Sequence, residues 1–143
     1  MSVNVTLTRA ENGEYTIDLG SKALPKLVYN PMELSEADRA EEHMGARLLL
    51  AASLACYINT MANDLKRGGA SAIPLIEAQA EITKERDSQL RTRYTHIELN
   101  VEADVADEDR AIFETVRSGL LRGSLVTYSL EEEMDLDYNI EAK

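Results

Sequence analysis

Val3, Val5 and Leu7 alternate with Asn4, Thr6 and Thr8, and beyond Glu11, Asn12 and Gly13 the alternation resumes at Tyr15, Ile17 and Leu19. A period of two on both sides of an Asn-Gly turn predicts an N-terminal β-hairpin. A third short strand is expected over residues 26–29, ending before Pro31. The acidic stretch 32–42 reads as a loop or a surface helix with Ser35 as its N-cap. From about 44 to 66 the chain is apolar on nearly every helical face. Lys66, Arg67, Gly68 and Gly69 then supply the cationic last turn and glycine stop of a helix C-terminus. This helix is expected to be central.

Two longer strands follow. Ile76, Ala78, Ala80 and Ile82 alternate with Glu77, Gln79 and Glu81, and after a turn at Asp87 and Ser88, Ile97, Leu99 and Val101 alternate with His96, Glu98 and Asn100. Asp107, Glu108 and Asp109 open a second amphipathic helix with the stripe Ile112, Phe113, Val116 and Leu120, running to about Gly123. Met134, Leu136, Tyr138 and Ile140 carry the last strand. The predicted class is α+β, in the order β-β-β-α-β-β-α-β around one long central helix, with residues 1–143 as a single domain.

Composition removes several function classes. A formal charge of −11 and a pI near 4.6 repel phosphate backbones and anionic lipid, so neither nucleic acid nor a membrane surface is expected as a partner. Small neutral or apolar ligands fit better. The apolar run is shorter than the roughly 20 residues of a membrane span, and no charged-then-apolar leader precedes the polar start, so the expectation is a cytoplasmic protein. No cofactor is called for. His43 and His96 read as exposed histidines without ligand spacing, so no metal site is expected. Gly68-Gly69 lacks the setting of a phosphate loop, Glu131–Glu133 reads as a solvated run, and no Ser, His, Asp triad can be argued.

The chemistry narrows to one thiol. Cys56 is the sole cysteine and lies in the most hydrophobic segment, Leu48 to Ile58, where the helix should hold it deep in the core. A core thiol is by default a small hydrophobe, and a lone cysteine forms no internal disulfide. Ser53, Cys56, Thr60 and Asn63 share one helix stripe. That stripe either lines a pocket or subunit boundary, or its hydroxyls bond back to their own helix. Cys56 is too far from the helix start for the dipole to stabilise a thiolate, so reactivity requires a cation. Arg9 continues the parity of Val3, Val5 and Leu7. It either points to the core side of the hairpin or is released to solvent where the turn begins.

A helix reading Leu48-Leu-Leu-Ala-Ala-Ser-Leu-Ala-Cys56 after three strands, then a strand pair, a helix, the segment 123–130 and a last strand, resembles the OsmC/Ohr family over essentially the whole chain. The resemblance implies an intertwined α+β homodimer with active thiols at the subunit interface. It also implies reduction of organic or hydrogen peroxides by a peroxidatic cysteine, assisted by an arginine and a glutamate and resolved by a second cysteine. Cys56 matches the peroxidatic position and Arg9 loosely matches the arginine. Two positions depart from the pattern. Where a Cys-Pro-Val-like segment holds the resolving thiol, this chain has Ser124-Leu125-Val126, and a serine forms no disulfide. Where the glutamate stands ten residues before the cysteine, this chain has Ala46, and Glu42 substitutes only by reaching inward from an acidic face.

Two functions therefore compete. One is a one-cysteine peroxidase in which an external thiol restores Cys56 from its sulfenic acid. The other is a non-catalytic homodimer of the same fold that binds a small hydrophobic ligand or serves a structural role.

Overall fold

Six strands form two three-stranded sheets, of order β1-β2-β3 and β4-β5-β6, in a computed structural model that describes residues 1–143. The first sheet belongs to one unit, Met1–Met44, and the second to another, Gly45–Lys143.

In the N-terminal unit β1 (Thr6–Arg9), β2 (Tyr15–Asp18) and β3 (Leu27–Tyr29) form an antiparallel meander. The predicted turn closes it. The Gly13 amide donates to the Ala10 carbonyl with φ at +93°, and the Glu14 amide donates to the Asn12 side chain. That left-handed backbone suits glycine, the residue without a Cβ. β1 begins later than the alternation suggested, because β2 pairs only as far as Asp18, opposite Thr6. A short helix α1 (Glu36–Ala40) follows, and Ser35 caps it as expected by accepting from the Asp38 amide at 3.1 Å.

The C-terminal unit starts with α2 (Met44–Arg67). Its glycine stop is a Schellman motif: Gly69, at φ +89°, donates to Lys66, and Ala70 donates to Leu65. β4 (Ile76–Arg86) and β5 (Thr92–Ala103) pair antiparallel with a bulge at Thr83/Lys84, and β6 (Asp135–Ala142) runs parallel to β5. The parallel pairing requires a crossover. α3 (Arg110–Leu120) and α4 (Leu125–Leu130) supply it. The second helix, predicted to reach about Gly123, ends at Leu120, and α4, which the sequence did not predict, begins after Gly123 turns the chain at φ +84°.

Ile97, Leu99, Val101 and Ala103 on the middle strand, with Ile140 on β6, form a core with Tyr57, Met61 and Leu65 of α2 and Phe113, Val116 and Leu120 of α3. The opposite sheet face is acidic. Lys143 there sits 3.7 Å from Glu77 and 3.4 Å from Glu102. His96 is half-buried rather than exposed, because β5 has a neighbour on each side, and its Nε2 lies 3.2 Å from Asp137.

Asp109 was expected only as a helix-start acid. It is buried in the 3-10 turn Asp107–Asp109 and accepts from the Ser71 amide at 2.9 Å and the Ser71 hydroxyl at 2.8 Å. These hydrogen bonds, the amide first, hold its carboxyl below the usual aspartate range.

α2 is a central helix with an uncovered side. Ala46, Ser53, Tyr57, Met61 and Leu65 are buried, yet only 22% of its most apolar window is. By length and composition alone this 24-residue helix, with a mean hydropathy of 1.2 over its most apolar 18 residues, is long and apolar enough to cross a membrane, where the sequence reading took the apolar run as too short.

Candidate functional site

Successive helix residues are 100° apart, so Cys56 stands one step off the buried line that runs through Ser53, Tyr57 and Met61. The thiol is half-buried in the single chain, not deep in the core as expected. An all-apolar helix hides which side turns inward, and here the inward side is centred on Tyr57 and Met61. Both hydroxyls of the predicted stripe bond within their own helix: Ser53 Oγ donates to the Leu49 carbonyl at 2.9 Å and Thr60 Oγ1 to the Cys56 carbonyl at 3.0 Å. Ser53 is fully buried, Thr60 half-buried and Asn63 exposed.

The residue after the cysteine fixes this turn of α2. Tyr57 is fully buried and its hydroxyl donates to the Leu120 carbonyl at 2.6 Å. Its ring stacks on Tyr138 with centroids 5.1 Å apart and planes 13° apart, and the Tyr138 hydroxyl donates to Glu131 Oε1 at 2.7 Å. Burial pushes the Tyr57 phenol well above its usual range and the Tyr138 phenol up to about 12. The alternation placed Tyr138 in the last strand, but neither tyrosine hydroxyl was singled out from the sequence. Their signal is the rule that a tyrosine in an apolar run needs a partner for its hydroxyl.

Leu120 ends α3, and the corner that follows carries Ser124. This serine is buried as the N-cap of α4: its amide donates to Thr127 Oγ1 at 2.7 Å, and its hydroxyl lies 3.2 Å from the same oxygen. A Cβ on Gly123 would lie 2.8 Å from the Tyr138 hydroxyl, so the corner needs glycine for space as well as for its backbone. The tyrosine pair thereby ties the turn of α2 that carries Cys56 to the corner that carries Ser124.

Neither a protein-family model nor a curated protein matches the sequence. Solved structures do, end to end. A hypothetical protein from Aquifex aeolicus superposes with a TM-score of 0.68 at 15% identity, over 100% of this chain and 97% of its own. An OsmC-like protein from Mycoplasma pneumoniae gives 0.65 at 11% identity over 99% and 97%. The fold is OsmC-like. An organic hydroperoxide resistance protein, OsmC, from Legionella pneumophila gives 0.64 at 12% identity, also over 99% and 97%. The resemblance drawn from element order and the Leu-rich helix is borne out as a fold.

In this OsmC-like chain, Cys56, Ser53, Thr60, Asn63 and Ser124 belong to the C-terminal unit, and Arg9 and Glu42 to the N-terminal one. Arg9 is the last residue of β1, opposite Tyr15, so the strand does not end before it. It shares the sheet face of Leu7 and Ile17, as its parity predicted. Its guanidinium is exposed and lies over the Tyr15 ring, 5.8 Å from the centroid. Glu42 is half-buried just past α1, its amide donating to the Arg39 carbonyl at 3.3 Å.

Proposed function

We propose that this chain is a divergent OsmC/Ohr-like protein, a cytoplasmic homodimer that reduces organic or hydrogen peroxides through Cys56 with an external thiol as reductant. The observation that carries this reading is the end-to-end likeness in fold to an organic hydroperoxide resistance protein, combined with a single, half-buried thiol on the central helix.

The Cys56 thiolate attacks one peroxide oxygen and the O–O bond breaks. The departing alkoxide takes a proton and leaves as an alcohol, and the sulfur is oxidised to sulfenic acid. An external thiol then attacks that sulfur, releasing water and forming a mixed disulfide. A second external thiol frees Cys56 and carries off the disulfide. Arg9 is the cation assigned to favour the thiolate, with Glu42 a weaker candidate for orienting it. Ser124, at the resolving position, takes no part in electron transfer, which is why the reductant comes from outside.

The homodimer is supported by what the single chain leaves bare. Ile17 is the sole buried hydrophobic residue of the N-terminal unit, whereas Val3, Val5, Leu7, Leu24 and Val28 are at least half exposed. Three strands persist when a hydrophobic face is covered. A second copy, intertwined so that apolar faces of both chains are covered, meets that need and that of α2.

One observation favours the competing reading, a non-catalytic homodimer that holds a small hydrophobic ligand or serves assembly. Ser53 and Thr60 donate their hydroxyl protons within their own helix, which leaves the stripe of Cys56 no hydroxyl donor for a peroxide. The deciding experiment is the rate of Cys56 oxidation by an alkyl hydroperoxide across pH, followed by mass spectrometry. Sulfenic acid forming at neutral pH at least about 100-fold faster than on free cysteine supports the enzyme, since an activated thiol is a thiolate there. A rate equal to that of free cysteine leaves the binding role.

A further inference from the structure

The N-terminal sheet brings one cation and two aromatic rings into a single cross-strand row. Arg9 on β1 stands opposite Tyr15 on β2, and Tyr15 opposite Tyr29 on β3. Residues directly across a ladder share a face, so all three project to the same side. The adjacent row is Leu7, Ile17 and Leu27, and Ile17 is buried. The row therefore lies on the sheet face of Ile17, and the Arg9 guanidinium on it is exposed, so contacts within the row decide where its planar head rests.

Two contacts do so. The guanidinium lies over the Tyr15 ring at 5.8 Å, and Arg9 Nη1 donates to the Ala10 carbonyl at 3.4 Å. The Tyr15 ring is itself backed by Tyr29, with centroids 5.0 Å apart and planes 10° apart. Arginine on a strand otherwise samples many rotamers, and holding its planar head against a ring removes most of that freedom before any partner charge arrives.

We propose that Tyr15, backed by Tyr29, is the positioning residue for Arg9, restricting the rotamers of its guanidinium by holding it over the ring. This deepens the peroxidase reading and rests on the role given there to Arg9. An exposed cation–π contact shifts a rotamer population by about two- to five-fold, which sets the size of the effect to look for.

The test uses the full-length protein and the rate of Cys56 alkylation by iodoacetamide from pH 5 to pH 9, with the ring-current shift of the Arg9 δ-methylene protons as a second readout. Arg9→Ala is expected to slow alkylation at neutral pH and move the profile to higher pH. Tyr15→Leu is expected to abolish the ring-current shift and slow alkylation by about two- to five-fold. Tyr15→Phe keeps the ring and is expected to recover the wild-type profile, and Leu27→Ala, which weakens the sheet without touching the row, leaves the profile in place. If Arg9→Ala slows alkylation but Tyr15→Leu does not, the positioning role is overturned while Arg9 keeps its own. If Arg9→Ala changes nothing, the role of Arg9 fails and this proposal with it. An unshifted δ-methylene in the wild type overturns the stack directly.

Discussion

The two units of this chain solve the problem of burial differently. Gly45–Lys143 has its own core, with Tyr57, Met61, Leu65, Ile97, Leu99, Val101, Phe113, Leu120 and Ile140 all at 2% exposure or less. Met1–Met44 has well-formed strands but buries one hydrophobic residue, Ile17. Hydrogen-bonded ladders set the shape of a sheet, whereas burial supplies the driving force that keeps it. The second unit is thus a self-sufficient scaffold for Cys56. The first unit leaves most of its apolar side chains exposed in the single chain, and it carries Arg9, the cation proposed to act on the thiol.

The strongest way to break that contrast is to truncate a core residue in each unit. Leu99→Ala is expected to cost about 2–5 kcal/mol in urea unfolding, the usual range for a fully buried leucine. Leu7→Asp, at a residue 54% exposed in the single chain, is expected instead to shift the protein to monomer in sedimentation. Equal losses of intrinsic stability from both would erase the distinction. Next in size is Tyr57→Phe, which removes one of the two donors to the Leu120 carbonyl and leaves it the Gly123 amide, and is expected to cost about 0.5–1.5 kcal/mol by the same unfolding measurement.

A smaller effect concerns pH. Because the Asp109 carboxyl is held below its ordinary value in the fold, its contribution is present above about pH 3.9 and is lost as pH falls through the folded value. Asp109→Asn is therefore expected to flatten the acid limb of an unfolding profile while leaving its shape near neutrality. The least effect is at His43, whose φ of +46° is left-handed. His43→Gly is expected to gain at most about 1 kcal/mol in thermal unfolding, since glycine takes that backbone without strain.

Period and punctuation made most of the architecture legible. Asn12-Gly13 marked the hairpin, Ser35 the cap of α1, Gly68-Gly69 the end of α2, and the alternation from Met134 to Ile140 the inner face of β6. What failed to show was nonlocal. α4 is six residues long, too short for a helical period, and its exposed Leu125 and Tyr128 blur the pattern. The burial of Asp109 depends on Ser71, 38 residues away in sequence. The half-burial of Cys56 was hidden because its helix is apolar on nearly every face, so only the fold reveals that Tyr57 points inward and Cys56 to the side. Arg9 is an intermediate case: strand parity gave the sheet face it shares with Leu7 and Ile17, but only the fold shows its guanidinium exposed over the Tyr15 ring.

The peroxidase reading stands or falls on whether Cys56 cycles. The most direct measurement is the number of hydroperoxide molecules consumed per chain in the presence of excess dithiol, for wild type and Cys56→Ser at matched concentration. Many turnovers by the wild type and none above background by Cys56→Ser is the predicted result. Consumption of one equivalent or less per wild-type chain, or equal consumption by the two proteins, contradicts it and leaves an OsmC-like fold kept for binding or assembly.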